Sequence, residues 1–258
     1  MTFPVLEGKV TIVTGAAMGM GEATARLFAE AGAKVAVADF NEEKGQAVAD
    51  SINADGGEAM FVKVDVSNSE QVQAMVAAVV EKWGRLDAAV NNAAMSPDNG
   101  FVAEFDEDYF DRLLSVDMKG VALCMKYELQ QFHKQDDGGS IINISSVSGF
   151  RAQPGNIAYV GAKHGVNGMT KVAAMENGPR NIRVNTVAPG AIDTPMLQAA
   201  LVEFNLGTEA DYAPKLSVLG RFAKAREVAQ ASMWLASDQS SYVTGTTVFV
   251  DGGYVGAM

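Results

Sequence analysis

The regular alternation of short apolar runs with long amphipathic stretches constrains the fold of this chain most strongly. Seven runs rich in β-branched residues follow one another, at residues 9–14, 34–38, 59–64, 88–92, 140–145, 183–187 and 247–251. Such runs are almost wholly apolar, which is typical of parallel strands that are buried on both faces. The sequence therefore predicts an α/β fold with a doubly wound parallel sheet of about seven strands and helices on both faces.

The chain of 258 residues contains no internal repeat, low-complexity tract or linker, so we expect one domain over residues 1–258. One stretch departs from the alternation, because residues 190–219 form a long connection with a helical pattern of its own. A long connection after the carboxyl end of a strand often covers a substrate site in α/β proteins. We predict a substrate lid there, and a simple packing excursion is the alternative.

Composition and charge exclude several classes of function. No apolar run approaches the roughly 18 residues of a membrane span, and the first residues lack the basic start and apolar stretch of a secretory signal. A formal charge of -11 disfavours nucleic acid as a partner. One cysteine and two histidines leave too few ligands for a metal site. We therefore expect a cytoplasmic protein that acts on a small molecule, without membrane, nucleic acid or metal.

A glycine-rich turn follows the first predicted strand directly. Residues 14–21 read TGAAMGMG and lead into a helical pattern, with glycine at 15, 19 and 21. Glycine permits a tight turn and lets a pyrophosphate approach the backbone at the exposed helix N-terminus. The position between a first strand and a first helix predicts dinucleotide binding.

The second predicted strand ends at Asp39, 18 residues beyond Gly21. A dinucleotide-binding fold places an acid there to accept hydrogen bonds from the adenosine ribose. A carboxylate at this point opposes a 2'-phosphate, and the turn residues 16–18 offer no compensating cation. This favours NAD over NADP. Asp39-x-x-Glu42 also fits a helix capping box, and the two roles are compatible.

Further motifs follow in one order along nearly the whole chain. They are Asp65 within VDVS, NNAA at 91–94, Ser146, Tyr159 with Lys163, PGAIDT at 189–194 and DGG at 251–253. With the glycine spacing GxxxGxG of the first turn, the sequence strongly resembles the short-chain dehydrogenase/reductase family. The resemblance implies a Rossmann-type fold and an NAD-dependent oxidoreductase of the CH-OH group.

The resemblance also implies a set of coenzyme contacts. Asp65 and Val66 are expected near the adenine, Asn91 on the adenosine ribose side of the fourth strand, and Ile192 and Thr194 at the carboxamide. Alternatively, Asp65 caps a turn and Asn91 satisfies backbone groups at a strand end. The full set of expected coenzyme contacts is Gly15, Gly19, Met20, Gly21, Asp39, Asp65, Val66, Asn91, Tyr159, Lys163, Pro189, Ile192 and Thr194.

The expected chemistry centres on a tyrosine and a lysine that are four positions apart. Tyr159 and Lys163 would lie on one face of a helix. A free phenol has a pKa of about 10, and a neighbouring ammonium favours the phenolate that an acid-base catalyst needs. Ser146, 13 residues before Tyr159, would steady the same substrate oxygen, with Ser145 and Ser148 as competing choices. The family spacing selects Ser146.

Asp117, in SVDMKG, is the clearest departure from the family pattern. Apolar residues surround it at helical spacing, and the family carries an asparagine in this V-N-x-x-G context. That asparagine is thought to hold a water near the lysine through its carbonyl, so the resemblance makes Asp117 a fourth catalytic residue. An ionised Asp117 would hold Lys163 in its charged form. The alternative is a carboxylate turned towards water, with only its backbone involved.

The residues expected around the substrate are mostly apolar. This favours a secondary alcohol or ketone of alicyclic or steroid-like bulk, with Arg151 as one cation at the rim. A reductase of 3-oxoacyl thioesters and a nucleotide-binding protein without turnover are the alternatives. The family suggests a homotetramer, which the glycines of the Tyr159 helix would suit. The expected pocket residues are Met95, Phe101, Phe150, Gln153, Met196, Leu197, Leu201 and Phe204.

Overall fold

The computed structural model describes residues 5–203 and 207–257, so Phe204 of the predicted lid lies outside the described part. Seven of the strands form one parallel sheet in the order β3-β2-β1-β4-β5-β6-β9, which confirms the predicted doubly wound architecture. The strands, in chain order, are β1 Val10–Thr14, β2 Lys34–Asp39, β3 Glu58–Lys63, β4 Ala88–Asn91, β5 Gly139–Ile144, β6 Ile182–Pro189, β7 Ile192–Asp193, β8 Ala223–Lys224 and β9 Thr247–Val250.

Helices cover both faces of this sheet. One apolar cluster joins it to α3, α5 and α6, and a second joins it to α1, α2 and α9. The helices are α1 Gly19–Glu30, α2 Glu42–Ala54, α3 Ser69–Trp83, α4 Glu107–Leu114, α5 Val121–Phe132, α6 Ile157–Asn177, α7 Pro195–Glu203, α8 Glu209–Tyr212, α9 Ala225–Ala236 and α10 Tyr254–Ala257. A π-helical turn, Ser115–Gly120, joins α4 to α5 in one continuous helical rod.

The residues that cap the N-termini of α3 and α2 differ from the predicted ones. The pattern Ser67-x-x-Glu70 predicts a capping box before the helix that runs to Trp83. Helix α3 is instead capped by Asn68, whose Oδ1 accepts from the amides of Glu70 and Gln71 at 3.0 and 3.1 Å, so the box with Ser67 is wrong. Helix α2 is capped by Asn41 and not by Asp39. In both cases an asparagine next to the first helical residue is closer to the free amides than the predicted residue.

The predicted lid is bracketed by a small parallel pair of strands, β7 and β8. Between them lie α7, α8 and a 3-10 turn. Leu201 is buried with Ala213 and Phe222, and Leu197 packs against the same cluster. The expectation that Leu201 faces the substrate is therefore wrong, because a segment this short needs apolar residues for its own core. Leu197 is half-buried, and its place at the substrate stays a prediction.

No helix within residues 5–203 and 207–257 is long and apolar enough to cross a bilayer. In the same ranges, no group of three or more His, Cys, Asp or Glu side chains is arranged to hold a metal ion.

Candidate active site

The glycine-rich turn lies against the end of the neighbouring strand β4. Gly15 has a φ of +65°, and a Cβ at this position would lie 2.8 Å from Ala93 Cα. The Asn92 side chain donates to the carbonyls of Thr14 and Gly15 at 2.9 and 3.2 Å. The turn has no side chain at Gly15, and the Asn92 side chain fixes its backbone from the β4 side. Such a turn at a helix N-terminus forms a cradle that can bind a pyrophosphate.

Asp39 closes the far side of this turn at the end of β2. Its Oδ2 accepts from the Ala17 amide at 2.9 Å, and its Oδ1 accepts from the Asn41 amide at 2.9 Å. The carboxylate is therefore fixed beside the turn, and the turn residues 16–18 are Ala, Ala and Met. This end of the cradle carries negative charge and suits ribose hydroxyls as ligands.

The other predicted coenzyme residues lie at the carboxyl ends of the strands. Asp65 is exposed and its Oδ1 accepts from the Ser67 amide and hydroxyl at 2.9 and 2.7 Å, so it does form the turn that the alternative foresaw. Thr194 lies beside the glycine-rich turn, where a Cβ at Gly19 would be 3.7 Å from Thr194 Cγ2. Val66 and Ile192 are buried, Met20 is half-buried and Pro189 ends β6.

Asn91 does not present its side chain to this edge. The side chain is 2% exposed and donates to Glu128 Oε2 at 3.1 Å and to Asn143 Oδ1 at 3.0 Å. Both partners lie inside the protein, so only the main chain of Asn91 can contact a nucleotide. The Asn91 side chain donates to two side chains that are distant in sequence. It therefore does not satisfy backbone groups at the strand end, which was the alternative expectation.

The helix that carries Tyr159 is capped from a distant loop. Asp98 accepts from the amides of Ala158 and Tyr159, at 3.0 Å each, and its own carbonyl accepts from Asn156 Nδ2. The loop over residues 92–101 therefore joins the glycine-rich turn to the start of α6. Sequence analysis missed Asp98 and Asn92, and the only available signal was a polar loop directly after a buried strand.

Lys163 is almost fully buried, with 2% of its surface exposed. Its Nζ lies 5.3 Å from the Tyr159 ring centroid, 3.4 Å from the Ile144 carbonyl and 3.1 Å from Asp117 Oδ2. Burial lowers the pKa of Lys163, but the charges of Asp117 and Tyr159 outweigh burial and raise it above its usual value. Lys163 therefore keeps a positive charge beside the tyrosine.

Asp117 is fully buried in the π-helical turn. Its Oδ1 accepts from the Met95 amide at 2.7 Å, and its Oδ2 pairs with Lys163. Burial raises the pKa of Asp117, while the Lys163 charge and the Met95 amide oppose that rise. The alternative of a carboxylate turned towards water is thus wrong. Single π-helical turns inside α-helices often mark functional sites, and this one carries the acid that faces the lysine.

Three serines follow β5, and their surroundings differ. Ser145 Oγ donates to the Lys163 carbonyl at 3.1 Å, so this hydroxyl fixes α6 against the strand. Ser146 Oγ accepts from the Ser148 amide at 3.1 Å. Ser146 is 9% exposed, against 3% for Ser145 and 2% for Ser148, and is the most accessible of the three to a substrate. The choice of Ser146 stays a prediction.

The expected substrate rim is more open than the sequence suggested. Phe101 is 70% exposed, and Phe150 lies edge-on to Phe249 with ring centroids 4.7 Å apart. Arg151, expected as a cation at the rim, donates to the Tyr254 carbonyl at 3.0 Å and lies 4.7 Å from the Tyr254 ring. Arg151 therefore holds the C-terminal helix α10.

Comparison with known proteins agrees with this geometry. The family model described as enoyl-(acyl carrier protein) reductase matches residues 15–255. The chain is 51% identical over 249 residues to the short chain dehydrogenase/reductase astE of Aspergillus oryzae, covering 96% of this chain and 95% of that protein. It is 43% identical to the 2,5-dichloro-2,5-cyclohexadiene-1,4-diol dehydrogenase of Sphingobium indicum, with 96% and 98% covered.

A solved structure is similar over almost its whole length. The crystal structure of levodione reductase superposes with a TM-score of 0.91 at 33% identity, covering 98% of this chain and 99% of that one. The match of fold, family model and sequence extends from the glycine-rich turn to the last strand. The chain belongs to the short-chain dehydrogenase/reductase family.

Proposed function

We propose that this oxidoreductase is an NAD-dependent dehydrogenase that interconverts a secondary alcohol and a ketone on an apolar, alicyclic substrate. The observation that carries the proposal is the buried Lys163, which holds its positive charge 5.3 Å from the Tyr159 ring. A cation at this distance favours the phenolate form of a tyrosine. Tyr159 would then take the proton of a substrate hydroxyl, or return a proton to a carbonyl oxygen.

Two further side chains support this chemistry. Ser146 stands at the end of β5 with the most accessible hydroxyl of its group, and would orient the same substrate oxygen. Asp117 would keep Lys163 charged through their 3.1 Å contact. Tyr159 and Ser146 are thus proposed to touch the substrate, while Lys163 and Asp117 form a buried ion pair beside the Tyr159 ring.

The family uses a nicotinamide coenzyme, and the residues present fit NAD. The turn from Gly15 to Gly21 would hold the pyrophosphate, and Asp39 would accept hydrogen bonds from the adenosine ribose. The fixed carboxylate at Asp39 opposes the 2'-phosphate of NADP. When bound, the nicotinamide ring supplies the hydride acceptor or donor for the reaction.

The substrate proposal rests on the apolar rim and on one relative. Phe150, Phe249 and Met196 are partly exposed near this end of the sheet. The Sphingobium relative is named for a diol on a six-membered carbon ring, which is a secondary alcohol of the proposed kind. The segment over residues 190–219 is proposed as the lid, with Met196 as an exposed apolar contact.

Turnover with a panel of alcohols tests the proposal. Cyclohexanol, 1,2-cyclohexanediol and a 3-hydroxysteroid would each be assayed with NAD and with NADP by the absorbance of the reduced nicotinamide. We expect oxidation with NAD and a loss of at least about 100-fold in kcat for Tyr159→Phe, which removes only the phenol oxygen. Tyr242→Phe is the matched control, because Tyr242 is fully exposed. Turnover with NADP alone would contradict the coenzyme proposal.

A reductase of 3-oxoacyl thioesters is the second candidate, because the chain is 43% identical over 250 residues to the 3-oxoacyl-[acyl-carrier-protein] reductase FabG of Thermotoga maritima, with 97% and 99% covered. Reduction of acetoacetyl-coenzyme A with NADPH, in the absence of alcohol oxidation with NAD, would select this candidate. No turnover with either coenzyme, together with measurable nucleotide binding, would instead select a binding protein without catalysis.

We also propose a cytoplasmic homotetramer, in keeping with the family. Helix α6 carries Gly165 tightly against Met118, where a Cβ would lie 2.7 Å from the sulfur. Gly161 and Gly168 have open space around the position of a Cβ, and Met175 is 82% exposed. A second subunit could approach this face of α6 closely. Sedimentation velocity tests the assembly, which should have four times the 27.2 kDa mass of one chain.

A further inference from the structure

A second buried acid, Glu128, takes no part in the proposed chemistry. It lies on α5 with 0% of its surface exposed, and its Oε2 accepts from Asn91 Nδ2 at 3.1 Å. Glu128 Oε1 and Asn91 Oδ1 are both buried and have no hydrogen-bond partner among the described residues. One hydrogen bond, from Asn91 Nδ2 to Glu128 Oε2, thus links the two side chains, and the second oxygen of each side chain has no partner.

Within residues 5–203 and 207–257, the surroundings of Glu128 supply no compensating positive charge. The buried residues of α3, which packs against α5, are all apolar. The neighbouring strands contribute Asn91 and Asn143, and α6 contributes Thr170. Cys124, one turn earlier on α5, is the titratable neighbour, and burial together with the Glu128 charge raises its pKa. The buried residues of α3 are Val72, Met75, Val76 and Val79.

A proton resolves this arrangement. An ionised carboxylate can only accept hydrogen bonds, whereas a carboxylic acid also donates one. Neither Glu128 Oε1 nor Asn91 Oδ1 has a hydrogen-bond donor beside it, and a proton on Glu128 Oε1 provides one. The same proton neutralises the buried carboxylate, whose charge has no partner. Burial also raises the pKa of Glu128 to about 8, against the smaller opposing effect of the Asn91 amide.

Glu128 is the first member of a chain of hydrogen bonds that links α5, β4, β5 and α6. Asn91 donates to Asn143 at 3.0 Å, and these residues are register partners on β4 and β5. Asn143 donates to Thr170 Oγ1 at 2.9 Å, on the helix that carries Tyr159. The residue after Asn91 is Asn92, which holds the glycine-rich turn. The hydrogen bonds therefore join β4, the strand β5 that precedes Ser146, and α6, and the cradle is held by the residue that follows β4, Asn92.

We propose that Glu128 is a positioning residue, a neutral acid that pairs with Asn91 and thereby fixes the coenzyme end of β4. Loss of its proton places an unpartnered charge in the core and weakens the link between β4 and α5. The coenzyme site consequently loosens at alkaline pH, although no group that touches the coenzyme has changed. The inference rests on the proposed function only in requiring that the chain binds a nicotinamide nucleotide.

Titration of NADH by calorimetry at pH 7 and at pH 9.5 tests this role. For the wild-type protein we expect the Kd to rise at least about tenfold between the two pH values, because the binding-competent form is depleted. Glu128→Gln keeps the size and the acceptor but cannot ionise, so its Kd should change less than about twofold. Glu81→Gln, an exposed acid on α3, is the matched control and should behave like the wild type.

The outcomes separate the two proposals. If the ratio of the Kd for NADH at pH 9.5 to the Kd at pH 7 is the same in the wild type and in Glu128→Gln, the proposed role of Glu128 is overturned. Failure of the wild type to bind NADH at pH 7 would contradict the coenzyme proposal instead. Infrared spectroscopy of the wild type needs no variant: a carboxylic acid band present at pH 7 and lost at pH 9.5, and absent from Glu128→Gln if that variant folds, is expected. A wild type without that band at pH 7 would overturn the inference.

Discussion

Two buried acids lie about three turns apart on the same helical rod, and they have opposite environments. Asp117, in the π-helical turn, pairs with Lys163 at 3.1 Å and accepts from the Met95 amide. Glu128, on α5, has only the amide of Asn91. Both are 0% exposed, so burial alone does not distinguish them. The comparison teaches that the partner decides whether a buried carboxyl keeps its charge or its proton.

Removal of the Asp117 side chain should have the largest effect. Asp117→Ala strands the charge of Lys163 in the core and leaves the Met95 amide without its acceptor. Breaking a buried ion pair in this way costs about 3 to 5 kcal/mol. Urea unfolding at pH 7 would measure it, with Asp117→Asn as the control that keeps an acceptor and should lose less. Equal losses in the two variants would place the cost in the charge, which both variants remove, and not in the packing and the acceptor, which Asp117→Asn keeps.

The stability of the wild type should fall as pH rises, because of Glu128. Its pKa is raised from 4.5 to about 8 in the folded state, so the folded protein holds a proton that the unfolded chain has lost. Between pH 6 and pH 7 the unfolding free energy should decrease by up to about 1.4 kcal/mol relative to Glu128→Gln. The two proteins would be unfolded in urea at both pH values. An equal change in the unfolding free energy of the two proteins between pH 6 and pH 7 would mean that Glu128 is ionised in the folded state.

Asp117→Asn should shift the pH dependence of alcohol oxidation. The substitution keeps an oxygen for the Met95 amide but removes the negative charge that offsets Lys163. Without that charge, burial lowers the pKa of Lys163, so the lysine loses its proton at a lower pH and the alkaline limb of kcat/KM should move to lower pH. The variant should keep substantial activity. A profile that coincides with the wild type would make the Asp117 side chain a bystander in catalysis.

The smallest effect is expected at the far end of the Glu128 chain. Thr170→Val preserves shape and removes the oxygen that accepts from Asn143 Nδ2 at 2.9 Å. Loss of one buried hydrogen bond of this kind costs about 1 kcal/mol. Urea unfolding of Thr170→Val at pH 7 measures this cost, and Lys171→Met on the exposed face of α6 is the control. A loss as large as that of Asp117→Ala would show that more than this one hydrogen bond depends on Thr170.

The sequence predicted what is encoded locally and missed what depends on contacts between distant segments. The parallel sheet follows from apolar runs, and the glycine-rich turn follows from its place between a strand and a helix. Asp98 caps α6 from a loop far along the chain, which no spacing rule reveals. Leu201 was assigned to the substrate because hydrophobicity alone does not say which of two apolar surroundings a side chain meets.

The same limit explains the two acids. Asp117 was recognised because it stands in a motif, and its contact with Lys163 follows from one helix facing another. Glu128 stands in no motif that the sequence analysis used, and an acid among apolar helix residues looks like one on a solvated face until the sheet is built. Its partner Asn91 was assigned to the coenzyme by its motif, although its side chain points into the core.

The loop over residues 92–101 has a consequence for redesign of this protein. It is tied down at Asn92, at Met95, at Ser96 through Tyr109, and at Asp98. Exchange of the whole loop with that of a relative would remove partners that lie on four other elements of the chain, namely β1, α4, the π-helical turn and α6. A change of substrate range is better sought at Phe101 and in the segment around Met196, where side chains are exposed and substitutions disturb few neighbours.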